Sequence, residues 1–108
     1  MKLVMRILGV VLGLTIAGQA SAADAKVAEA LAQKSGCLAC HTVANKVIGP
    51  AYRDVAAKYR GESTAEAKLI AKVKAGGKGV WGPIPMPPNS PQISDDDIKT
   101  IVQWILTL

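Results

Sequence analysis

The sequence predicts a small all-α domain of four to five short helices, on three observations. Apolar residues recur at helical spacing in separate stretches, most cleanly at Ile98, Ile101, Val102 and Ile105, which fall at i, i+3, i+4 and i+7. Glycine and proline clusters divide those stretches, and no stretch reads as a strand. The third observation is a shortage. Half of the residues are hydrophobic, yet there is no Phe, and the aromatics are two Trp and two Tyr. With 108 residues the chain has room for one domain, without repeats, and a domain this small buries only a modest fraction of its surface. Its helices need a large apolar centre that the side chains alone do not supply.

The first stretch has the layout of a removable leader. Lys2 and Arg6 give a positive start, residues 7–17 form an apolar run broken by Gly9, Gly13 and Thr15, and Gln19-Ala20-Ser21-Ala22 supplies a small-residue cleavage site. A secretory signal peptide is expected over residues 1–22, leaving one domain over residues 23–108. The apolar run is short for a membrane span, which takes roughly 20 residues. No charged stop-transfer sequence follows it, so the mature chain is expected not to span the membrane. Losing Lys2 and Arg6 lowers the formal net charge from +5 to +3. That mild excess, without an interleaved aromatic platform, argues against nucleic acid as a partner.

Asp24 is placed to cap a first helix running to about Lys34, with Val27, Ala30, Leu31 and Lys34 on one face and Ser35-Gly36 at its end. Cys37-Leu38-Ala39-Cys40-His41 follows at once. A loop over residues 42–50 closes on Gly49-Pro50, and a second helix is expected over residues 51–59, stopped by Arg60-Gly61. Ser63 or Thr64 caps a third helix with Glu66 early and Lys72 and Lys74 late, as the helix dipole favours. Its buried stripe is Leu69, Ile70 and Val73. The glycines at 76, 77 and 79 end it. They do not make a phosphate loop, because Gly77-Lys78 is followed by Gly and no strand precedes it. Residues 80–91 are too rich in proline for a helix or a central strand. In the last helix Ser94 is the N-cap and Asp97 the third position of a capping box. Asp95, Asp96 and Asp97 suit the positive helix end better than a metal site, since they lack the alternation of a calcium loop.

Residues 37–41 carry the chemistry. C-x-x-C-H is the pattern of c-type haem attachment. Each thiol adds across one vinyl group of the porphyrin, and the short turn lets both sulfurs reach one edge while His41 comes under the ring to ligate iron. A thioredoxin-like pair would need a βαβ setting, structural zinc wants about four ligands, and a disulfide across two residues is a tight, strained loop. Two Cys and one His, all within this pentapeptide and behind an export leader, favour one covalent haem c with its iron. For the second ligand, Met1 and Met5 leave with the leader, which leaves Met86 in Trp81-Gly82-Pro83-Ile84-Pro85-Met86-Pro87-Pro88-Asn89. The prolines fix φ and remove N–H donors, so the loop is stiff enough to hold a thioether over the ring. Against ligation stand a gap-filling Met and a P-x-x-P partner ligand. Ligation is the favoured role.

Gly36-Cys37-Leu38-Ala39-Cys40-His41, Gly49-Pro50-Ala51-Tyr52, Asp54-Val55-Ala56-Ala57-Lys58 and residues 79–89, in this order, resemble the small class I bacterial cytochromes c of the cytochrome c-551 (c8) type. The resemblance covers essentially all of residues 23–108. It implies the class I cytochrome c fold wrapped around one covalently bound haem. It also implies a periplasmic single-haem electron carrier that is not an enzyme. Cys37 and Cys40 would be the thioether links, His41 the proximal ligand and Met86 the distal one. By the same resemblance the Pro50 carbonyl accepts from the second nitrogen of His41, the Trp81 indole donates to a haem propionate, and Asn89 donates towards the Met86 sulfur. Lys72 falls where the family often has an Arg near the propionates, and it replaces a fork with a point charge. The link over residues 89–94 is longer than is usual in the family. The exposed haem edge would open among Leu38, Val47, Ile48 and Ile84, an apolar docking patch rimmed by Lys34, Lys46 and Lys78. Two protein ligands leave the iron no position for substrate. The expectation is therefore a monomer that shuttles electrons between redox proteins such as a bc-type complex, a nitrite reductase, a terminal oxidase or a peroxidase. The alternative is a haem sensor or peroxidase-like enzyme whose distal Met is displaceable.

Overall fold

The computed structural model describes residues 22–108, with Gly9 and Gly13 upstream; the rest of the expected leader lies outside the described residues. Four α-helices follow one another: α1 (Ala22–Lys34), α2 (Tyr52–Tyr59), α3 (Ala65–Ala75) and α4 (Asp95–Ile105), with one turn of 3₁₀ helix (Cys37–Ala39) between α1 and α2. There is no strand among the described residues, and the fold is the all-α one expected.

The other helices assemble on α4, which packs against α1, α3 and α2. Its start is built as the sequence requires. The Ser94 hydroxyl accepts from the Asp97 N–H at 3.2 Å, and Asp95, Asp96 and Asp97 occupy the first turn. Asp95 also takes Lys74 Nζ at 3.0 Å, a link back to the end of α3. The expected stripe of Ile98, Ile101, Val102 and Ile105 is buried throughout, and Trp104 joins it, edge-on to Tyr52 with centroids 5.6 Å apart.

In α1 two expectations are corrected. The helix begins at Ala22, so Asp24 lies in its first turn and not at the cap. Its buried face is Ala28 and Ala32, both fully covered, flanked by Ala25 and Leu31, whereas Val27 is more than half exposed. The face is rotated from the one expected because α1 lies against the bulky side chains of α4, and small residues let the two helices approach. Ser35 N–H donates to Leu31 O at 2.9 Å and Gly36 takes φ +81°, which ends α1 and turns the chain into Cys37.

Tyr52, Val55 and Ala56 are the buried residues of α2. At the start of α3 Thr64 holds the N-cap position without a side-chain capping bond. Leu69, Ile70 and Val73 are only half-buried. Leu69 and Val73 line a cleft.

Candidate cofactor site

The cleft has about 1340 Å³ of empty space counted out to its open mouth. Val55, Leu69, Val73, Ile101, Val102 and Ile105 give it apolar walls, and Cys37, Cys40, His41 and Met86 all line it. Its lining includes Lys46, Lys72 and Lys78 but no Asp or Glu. A neutral, greasy interior with cations at its margin suits a flat apolar group that carries carboxylates.

His41 is held on three sides. Its Nδ1 lies 2.8 Å from the Pro50 carbonyl oxygen. A carbonyl only accepts, so Nδ1 carries the proton and Nε2 keeps its lone pair for a metal. The Tyr52 ring stacks on the imidazole at 5.0 Å and 18°. Gly49 closes the third side, where a Cβ would overlap His41 Cε1 and stand 2.8 Å from Nδ1. The Gly49 N–H donates to Cys40 O at 2.8 Å and the His41 N–H to Cys37 O at 3.0 Å, which folds the loop against the attachment turn.

Cys37 and Cys40 are free and half-buried. Burial pushes the Cys37 thiol above its ordinary range, and the Tyr52 hydroxyl draws it partly back. Burial likewise holds the Tyr52 phenol well above its usual range, with the nearby Cys37 charge adding to the effect. Two accessible thiols on one short turn, an imidazole with Nε2 free and a thioether in the same cleft are a donor set that fits haem c.

Met86 is half-buried and tied through its backbone. Gly77 N–H donates to Met86 O at 3.0 Å and Met86 N–H to Gly77 O at 2.8 Å. Trp81 stands 41% exposed on the cleft lining, with Lys58 Nζ 5.8 Å from its ring centroid and 5.9 Å from that of Tyr59. Lys58 was not among the expected residues, because its pairing with Trp81 spans 23 positions and has no local signal. Lys72 lines the cleft with its Nζ over Gly77.

Asn89 bonds differently from the expectation, and Leu38 is more covered than the other apolar residues of the expected patch. Asn89 Nδ2 donates to Val73 O and to Pro87 O, each at 3.1 Å, in place of the Met86 sulfur. Leu38 is half-buried, with part of its side chain packed against the core. Val47, Ile48 and Ile84 are each more than half exposed, and Val80, which the sequence did not single out, matches them. Ile48, Val80 and Ile84 line the cleft, as do Lys46 and Lys78; Lys34, at the end of α1, does not.

Residues 25–108 match the cytochrome c family. The chain is similar to cytochrome c-551 of Allochromatium vinosum, 59% identical over 78 residues that make up 72% of this chain and 82% of the relative. Against cytochrome c-551 of Pseudomonas aeruginosa it is 50% identical over 88 residues, 82% of this chain and 83% of the relative. The crystal structure of wild-type Nitrosomonas europaea cytochrome c552 superimposes with a TM-score of 0.71 at 52% identity, covering 74% of this chain and 98% of that one.

Proposed function

Because the chain belongs to the cytochrome c family, as a class I member of the c-551 type with one covalent haem c and its iron, we propose that it is a soluble periplasmic electron carrier whose iron is held by His41 and Met86. One observation carries the ligand assignment. A histidine with Nε2 free and a methionine pinned through its backbone line the same cleft as both attachment thiols.

The haem, held through Cys37 and Cys40, supplies a one-electron couple. His41 is kept in one tautomer and one orientation by Pro50, Tyr52 and Gly49. Met86 offers a neutral thioether, a ligand that favours ferrous iron and raises the potential. The apolar walls disfavour the additional charge of the ferric state. With His41 and Met86 both holding the iron, no open side would remain for a substrate, in keeping with a carrier that is not an enzyme. Trp81 and Lys72 are the groups we assign to the haem propionates. Residues 1–22 act as the cleaved leader to the periplasm and residues 23–108 as the working domain, a monomer. Among the described residues no helix is long and apolar enough to cross a membrane. Val47, Ile48, Val80 and Ile84 form a small apolar contact face with Lys46 and Lys78 beside it, suited to brief encounters with redox proteins.

Absorption spectra of the haem-loaded protein, oxidised and reduced, with and without carbon monoxide, test this reading. A weak far-red sulfur-to-iron band in the oxidised state and no carbon monoxide adduct at neutral pH are expected. Carbon monoxide binding to the reduced wild-type protein would favour a sensor or peroxidase-like role in its place.

A further inference from the structure

The loop that carries Met86 leaves the C-terminal end of α3 and returns to it. On departure, Gly76 N–H donates to Lys72 O at 2.7 Å and closes the helix with φ +69°. Gly77 then pairs with Met86 in both directions. On return, Asn89 N–H donates to Val73 O at 3.2 Å and Ser90 N–H to Lys74 O at 3.3 Å, while Asn89 Nδ2 binds Val73 O and Pro87 O. Carbonyls that the end of a helix would leave unpaired are thus satisfied by the loop itself.

Gly76 is the crowded point of this arrangement. A Cβ there would overlap Met86 O and stand 2.8 Å from Pro88 N and 2.9 Å from Pro87 C. All three are backbone atoms, so no change of rotamer relieves the clash. Pro85, Pro87 and Pro88 have no N–H with which the loop might pair elsewhere. Gly77 differs, because what lies over it is the flexible end of Lys72, with Nζ 2.6 Å from where a Cβ would stand. Gly36 and Gly61 share a left-handed φ, at +81° and +80°, but have nothing within 4 Å. A positive φ is therefore common to several glycines; Gly76 is set apart by its ψ of −169° and by the loop backbone lying where a Cβ would stand.

We propose that Gly76, supported by Gly77, is a positioning residue for Met86: the bare Cα at the end of α3 is the seat against which the ligand loop is pressed. This rests on the reading of Met86 as the distal ligand, and the experiment separates the two. Haem-loaded wild type, Gly76→Ala, Gly61→Ala and Met86→Ala are compared by the far-red sulfur-to-iron band, the midpoint potential, carbon monoxide binding and thermal midpoint. Met86→Ala should lose the band. Gly76→Ala should weaken or lose it, lower the potential and admit carbon monoxide. Gly61→Ala, at a positive φ with nothing within 4 Å, should lower only the thermal midpoint. If Gly76→Ala loses stability as Gly61→Ala does but keeps the wild-type band and potential, Gly76 is structural and the proposal falls. If Met86→Ala keeps the band, the ligand assignment itself falls and takes the proposal with it. Should Gly76→Ala fail to mature, Gly77→Ala strains the Gly77–Met86 pairing through its φ of +146° while the flexible Lys72 moves aside, and an unchanged band and potential there overturn the proposal equally.

Discussion

At the scale of single residues, the site is held by atoms too close to admit anything else. Gly49 does not need a left-handed backbone; it is bare because the His41 ring lies against its Cα. Gly49→Ala must push the imidazole aside or break its bond to Pro50, and overpacking of this kind costs about 1–3 kcal/mol. Denaturant unfolding of the haem-loaded variant should show that loss together with an altered potential; a loss of stability at unchanged potential would mean that the ring keeps its place. That Cys37, Cys40, His41 and Met86 belong to one site, as their shared cleft bears out, was legible in the sequence because the signals are local: a pentapeptide, and one methionine between prolines. Gly49 against His41, Lys58 over Trp81 and the Asn89 bonds to Val73 and Pro87 were not. Each depends on where the chain returns in space, and an Asn that can cap a helix end is spelled the same as one that can reach a sulfur.

Among the elements, α4 was the easiest to read and α1 the hardest, for one physical reason. The α4 stripe is made of Ile and Val, so its buried face is also its large apolar face. In α1 the buried positions are alanines, and a pattern weighted by side-chain size selects Val27, which is more than half exposed. Ala28 and Ala32 are fully covered because α1 is pressed against α4. The consequence is opposite to what residue size suggests. Ala32→Leu should destabilise the protein by about 1–3 kcal/mol through overpacking, while Val27→Ala should stay within about 0.5 kcal/mol of wild type. Paired thermal melts check this, and equal effects would mean that the helix face is turned differently. The half-burial of α3 was not legible at all, since a sequence shows which residues are apolar but not which of them wait for a cofactor.

For the whole molecule, Ile101 and Ile105 belong to the core and also line the cleft, so the protein interior and the cofactor site share one wall. Without haem the cleft side of α3, at half-buried Leu69 and Val73, exposes apolar surface, which a chain this small cannot readily offset. The double variant Cys37→Ala, Cys40→Ala should therefore lose most of its helical circular dichroism; a cooperative melt with native-like helix content would separate fold from cofactor. The same geometry decides how a partner is met. Leu38 is half-buried against the core, so an acid placed there would disturb packing and docking together. Ile84 is 61% exposed at the cleft, where Asp remains in water and leaves the interior alone. Lys46 and Lys78 line the same cleft with no carboxylate among the lining side chains, so the field of the protein's own groups there is more positive than the net charge of +3 expected on loss of Lys2 and Arg6 suggests. An aspartate at position 84 acts twice, wetting the apolar contact and cancelling part of that field. Ile84→Asp should slow bimolecular electron transfer to an acidic redox partner while leaving spectrum, potential and thermal midpoint near wild type. Added salt should narrow the gap, because screening removes the electrostatic part and leaves the loss of apolar contact. Stopped-flow oxidation at several ionic strengths measures both parts, and a wild-type rate at every salt concentration would move the docking face away from this edge.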